Sequence, residues 1–144
     1  MGVYTFIGHR ETPYEIKEKL CSKIEFLITK CGVDTFFVGT HGNFDRIVYD
    51  SLCQLERKYK ITTHVVLAYL NEKPDWYDLS KTVFPSQLDN TPRKYAISKR
   101  NKYMIEQSNY MICYVDNTQT NTYAFAEKAI KKGLAVFNLG QVEF

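Results

Sequence analysis

The sequence predicts an α/β fold: a Rossmann-like three-layer domain with a mostly parallel sheet of about five strands and helices on both faces. Three observations predict it. Short apolar runs alternate with amphipathic stretches along the whole chain. The 144 residues are the size of one domain, and 1–144 holds no internal repeat, linker or low-complexity tract. The composition, 44% hydrophobic and 24% charged, suits a globular chain with a real core.

The elements follow in order. Val3 to Ile7 is a short apolar strand. Thr12 is expected to cap a helix with Pro13 at its first position, and Ile16, Leu20, Ile24, Leu27 and Ile28 recur at helical spacing until Gly32 ends it. Thr35 to Val38 is the second strand. A helix from about Phe44 to Lys58 carries Ile47, Val48, Ser51, Leu52 and Leu55 on one face. Thr62 to Leu70, rich in β-branched residues, is the third strand and long enough to be central. Asn71 to Lys94 then breaks the rhythm with Pro74, Pro85 and Pro92, and Thr82-Val83-Phe84 could pair briefly within it. A third helix runs from about Ala96 to Gln107, and Tyr110 to Val115 is the fourth strand. A polar loop, Asp116 to Thr122, leads to a helix with Ala124, Phe125, Ala129 and Ile130 inward. Gly133 ends that helix, and Ala135 to Leu139 is the last strand.

The segment Val38-Gly39-Thr40-His41-Gly42-Asn43-Phe44-Asp45 draws attention first. Two glycines three residues apart let a strand turn into a helix with its N–H groups exposed, and a helix start favours anions. The plainer reading is a turn with Asp45 as helix cap. In open parallel sheets ligands bind beyond the C-terminal strand ends, near the point where strand order reverses. The loops at that edge are Gly8-His9-Arg10, Gly39 to Asp45, Asn71 to Lys94 and Asp116 to Thr122.

The net charge of +3 suits a phosphorylated small molecule and is weak for a nucleic-acid groove. No apolar run reaches the ~20 residues of a membrane span, and the start lacks signal-peptide regions, so a cytoplasmic protein with no membrane contact is expected. Cys21, Cys31, Cys53 and Cys113 lie in apolar patterns with no C-x-x-C spacing and read as buried reduced thiols. His9, His41 and His64 are scattered, so no metal site is expected.

Four pieces together resemble a known family: Phe6-Ile7-Gly8-His9-Arg10; Val38-Gly39-x-x-Gly42-x-x-Asp45; Pro92-x-x-Tyr95-Ala96-Ile97-x-x-Arg100-Asn101-x-x-Met104; and Thr120-x-Thr122. Their order and spacing look like the YpsA-like branch of the SLOG superfamily. That superfamily groups DprA (Smf) with the LOG-type phosphoribohydrolases, and the resemblance covers Val3 to Leu139.

The resemblance implies a Rossmann-like domain that binds a nucleotide or a nucleotide-derived small molecule, with no cofactor. It places Gly8, Gly39, Gly42 and Asp45 at the ligand crevice, and His9, Arg10, Thr40 and His41 of the same two loops are candidate contacts. Arg100 and Asn101 face them, with Asn117, Thr118, Thr120 and Thr122 alongside. It also suggests a homodimer, for which Tyr49, Tyr103 and Tyr123 are candidate contacts. LOG enzymes carry a glycine-rich phosphate loop before the fourth helix and a glutamate three residues past its threonine. This chain has no glycine there, and Phe125 stands at the glutamate position. Glu127 is about 200° further round the helix. The expectation is therefore a sensor or sequestering protein. The alternatives are a nucleotide-processing hydrolase using His9, Asp45 or Arg100, and a DprA-like nucleic-acid module built on Arg93, Lys94, Lys99, Arg100 and Lys102.

Overall fold

Alternating residues of the first strand face opposite ways, and this organises the molecule. In the computed structural model, which describes residues 2–72 and 76–144, β1 (Val3–Gly8) turns Tyr4 and Phe6 to one core and Ile7 to the other. Strands buried on both faces need helices on both, which is the parallel α/β arrangement. Among the described residues the sheet has six strands, all parallel, in the order β4-β3-β2-β1-β5-β6. The others are β2 (Thr35–Val38), β3 (Thr62–Val66), β4 (Thr82–Val83), β5 (Tyr110–Tyr114) and β6 (Ala135–Asn138).

One layer is α1 (Lys17–Cys31) and α2 (Asn43–Glu56), the other α3 (Arg93–Glu106) and α4 (Asn121–Lys131). Leu20, Ile24 and Leu27 bury the stripe of α1, each contributing roughly 1.5–3 kcal/mol. The helix stops at Gly32, whose left-handed φ of 70° lets the Val33 N–H fold back to the Leu27 carbonyl. From β1 the chain lays β2, β3 and β4 outward on one side. α3 then returns it to place β5 on the other side of β1, so the order reverses between β1 and β5.

Several boundaries differ from the sequence reading. The third strand ends at Val66 rather than Leu70, because Glu72 takes the Ala68 and Tyr69 N–H groups out of the ladder. It lies second from the sheet edge, beside the two-residue β4. Thr12 does not cap a helix. It is buried, its hydroxyl donates to the His9 carbonyl at 2.6 Å, and a single 3₁₀ turn after Pro13 precedes α1. α3 begins directly after Pro92, three residues early. On α4 the buried residues are Phe125, Ala126 and Ala129, while Ala124 and Ile130 face solvent. Pro74 lies outside the described residues.

The thiols are all free, but only Cys113 is buried, and burial pushes it up to about 12. Cys21 and Cys53 are half-buried and Cys31 is exposed at the end of α1, where the apolar stripe no longer meets the sheet. Tyr49 is likewise core rather than surface, its hydroxyl accepting the Asp78 N–H at 2.8 Å.

Candidate functional site

The site forms where β2 ends. Val38 is the last residue paired to β3, and the chain then turns through Gly39-Thr40-His41-Gly42 into α2. Gly42 is the residue before the helix, at φ 91° and ψ 172°, a backbone region essentially reserved for glycine. A Cβ there would also stand 2.7 Å from the Arg10 Cα. This close approach joins the first two loops, and the Asn43 N–H donates to the Arg10 carbonyl at 2.9 Å.

Asp45 does not occupy the cap position. It sits in the first turn of α2, 7% exposed, and its Oδ2 accepts the His41 N–H at 3.0 Å. The carboxyl thus fills part of the helix-start anion position with the protein's own acid. Burial pushes its pKa up to about 6, with the Arg100 charge and the His41 N–H pulling the other way.

Arg100 comes from the opposite layer and is 1% exposed. A guanidinium has five N–H donors. Here Nε donates to Asn101 Oδ1 at 2.8 Å, and Nη1 to Val66 O at 3.0 Å and Thr40 Oγ1 at 3.2 Å. Nη2 lies 3.4 Å from His41 Nδ1. Four acceptors leave one Nη2 hydrogen without a partner among the described residues. None of the four is an acid, and no described carboxylate oxygen lies within 4.0 Å of the guanidinium. Burial works against its charge, and Asp45 and Glu72 support it from further away.

Because arginine can only donate, His41 Nδ1 is the acceptor, which leaves the ring hydrogen of the neutral form on Nε2. Burial, then Arg100, holds His41 below the ordinary histidine range, so the ring stays neutral. Gly39 makes this packing possible. An added Cβ would stand 2.7 Å from Asp45 Oδ2 and 3.0 Å from Arg100 Cζ.

A crevice of about 250 Å³ opens above these groups, between β1, α3 and the start of α4. It lies at the C-terminal strand ends, where strand order reverses. Of the expected residues, Gly8, Arg10, His41, Asp45, Arg100, Asn101 and Thr122 line it. Gly39 and Thr40 lie beneath it, packed on or bonded to Arg100, and Gly42 supports Arg10. His9, Asn117 and Thr120 line a neighbouring, more open depression with Tyr114 and Asp116. Thr118 is exposed and lines neither. His9 Nε2 accepts the Asp116 N–H at 2.8 Å, a structural tie between the first and fourth loops.

The sequence reading missed Ile97 and Ser98, which line the crevice one helical turn before Arg100 and Asn101. The spacing along α3 could have found them. Phe125 forms part of the wall, while Glu127 is exposed and accepts from its neighbour Tyr123. Lys94, Lys99, Lys102 and Arg93 are exposed, but Arg100 points inward and is not part of their surface.

Fold and site together define an α/β protein with a small switch-point crevice built on a buried arginine. Compared with known protein families and with characterised proteins, the chain matches none.

Proposed function

We propose that this crevice binds an anionic, nucleotide-derived small molecule and that the protein serves as its sensor or sequestering partner, as the SLOG resemblance implies. One observation carries the reading: Arg100 is buried at the crevice with a spare N–H and no acid in contact. A buried cation whose direct contacts are all neutral acceptors has no counterion within ion-pair distance, and a bound phosphate oxygen would supply one. The crevice volume of about 250 Å³ is below the ~300–1,000 Å³ of drug-sized sites, which favours one sugar phosphate inside with any remainder at the open mouth. The test is mass spectrometry of small molecules released on denaturing the purified protein, followed by titration of each one back. Release of a phosphorylated nucleoside or sugar that rebinds supports the reading. Failure of every nucleoside phosphate and sugar phosphate tried to bind would remove it.

A second reading, hydrolysis of a nucleotide bond, draws on Asp45, a crevice carboxyl raised toward neutrality. Phe125 and the absence of a glycine-rich loop weigh against it, and enzyme-dependent release of free base would favour it. A homodimer in the cytoplasm completes the proposal. Tyr103 and the Tyr123–Phe144 stack offer half-exposed aromatic surface for contact, and sedimentation tests it.

A further inference from the structure

The groups facing the crevice are unequal in kind. Besides Ser98, Asn121 and Thr122, which can both donate and accept, four groups offer only hydrogens: the spare Nη2–H of Arg100, the Nε2–H of His41, the amide end of Asn101, and the Arg10 guanidinium. The Asn101 oxygen is turned to Arg100, which fixes its NH₂ as the free end. Asp45 is the acid among the lining residues. Its Oδ2 is taken by the His41 N–H, and Oδ1 accepts from no described residue, in a residue only 7% exposed overall. A carboxyl oxygen on a crevice wall that no protein group satisfies takes its hydrogen from whatever fills the crevice, water or ligand.

Asp45 and Arg100 also stand side by side. Both press on the space above Gly39, at 2.7 and 3.0 Å from where a Cβ would be. A single small ligand can therefore meet both. Inorganic phosphate satisfies the donors but puts a negative oxygen beside the acid. A molecule that matches has charged oxygens for the donors and a neutral hydroxyl for Asp45. Oδ1 has two lone pairs, and a vicinal diol brings two hydrogens from adjacent carbons.

We infer that Asp45 is a specificity-determining residue whose Oδ1 accepts from the hydroxyls of a sugar phosphate, so that the crevice selects ribosyl over deoxyribosyl ligands. This rests on the anion-binding reading above and adds to it the chemistry of the ligand's neutral part.

The experiment is calorimetric titration of the full chain and of Asp45→Asn with four probes: D-ribose 5-phosphate, its 2-deoxy and 3-deoxy analogues, and inorganic phosphate. For the native chain, loss of a hydroxyl is expected to weaken binding about tenfold, the size of one hydrogen bond to a charged group. In Asp45→Asn the ribose compound should fall to the level of its deoxy analogues, with inorganic phosphate bound no more weakly than before. Equal affinity of the native chain for all three sugar phosphates would overturn the inference and leave the anion site standing. So would a preference that persists undiminished in Asp45→Asn. If none of the four probes binds, the anion-binding reading falls and takes this inference with it. Should Asp45→Asn fail to fold, the comparison of probes on the native chain decides alone.

Discussion

The loops at residues 39–45 and 116–122 are both polar, both join a strand to a helix, and both lie at the same sheet edge. Their groups are disposed in opposite ways. In the fourth loop the acceptors of Asp116, Asn117 and Thr120 serve the loop and its neighbours, and Thr122 at its end reaches the crevice. Asp116 accepts from Gln141 N and the Tyr114 hydroxyl, each at 2.7 Å. Asn117 accepts from Gln119 N at 2.8 Å, and Thr120 caps α4 through Tyr123 N at 3.2 Å. These residues are mostly exposed, so water completes what the loop does not. In the second loop the polar groups are buried against Arg100 and left one hydrogen and one carboxyl oxygen short of partners. Polarity in a loop is ordinary. Burial with an unfilled valence is costly and marks a place where a ligand has something to offer.

The comparison can be broken by substitution, and the largest effect is expected at Arg100. Arg100→Ala removes a buried side chain with four acceptors around it and should cost about 3–4 kcal/mol of stability by chemical denaturation. It should also abolish binding of phosphorylated ligands. From the sequence Arg100 is expected to serve the crevice, with its loss sparing the fold. Full burial makes it part of the core as well as of the site. A variant as stable as the native chain would show the guanidinium is not buried as described.

Asp45→Asn should act in the reverse direction on stability. The folded carboxyl keeps its proton up to about pH 6, whereas 3.8 is its ordinary value. Between these the unfolded chain binds fewer protons, so native stability falls as pH rises, and the loss is complete above about pH 6. The shift corresponds to about 3 kcal/mol at most. An amide has no such penalty and can still accept from the His41 N–H. The variant is therefore expected to be more stable than the native chain at pH 7, with the difference gone below pH 3.8. Urea midpoints across that range test it, and a variant less stable at pH 7 would contradict the raised pKa.

Gly42→Val places a β-branched residue at φ 91° against the Arg10 backbone and should cost about 2 kcal/mol. The loss should be accompanied by weaker ligand binding, because Arg10 is held there. The fourth loop supplies the contrast. Thr120→Ala should cost about 1 kcal/mol through the lost cap, and Thr118→Ala less than about 0.5 kcal/mol. Neither should change ligand affinity by more than about twofold, within that same small energy range. A tenfold loss in Thr118→Ala would mean that the exposed part of the fourth loop, and not only Thr122 at its end, reaches the ligand and the contrast is misdrawn.

Parts of the site were legible from residue types. The Gly39–Gly42 spacing after an apolar run gave the turn, and the Arg100–Asn101 pair was singled out on α3. The crevice also lies where an alternating strand–helix pattern puts it. Asp45 was misread as a cap because a short acid near a helix start has that role most often. Arg100 stands beside it at Gly39, and the Arg100 contact to Thr40 spans 60 residues of sequence. Thr118, Asn117 and Thr120 were drawn in by composition alone, which cannot distinguish a side chain that closes its own loop from one that faces a ligand.

The sequence by itself determined the class of fold, most element positions and the edge of the sheet where the polar loops gather. Those follow from periodicity and from turn chemistry, which act within a few residues. Tertiary structure alone decided that α3 returns the chain across β1, that Arg100 is carried inward beneath a crevice, and that Asp45 meets it above Gly39 with an oxygen to spare. The physical reason is that burial and hydrogen-bond satisfaction belong to the packed assembly of elements. No local pattern records how many of a side chain's partners the rest of the chain will provide.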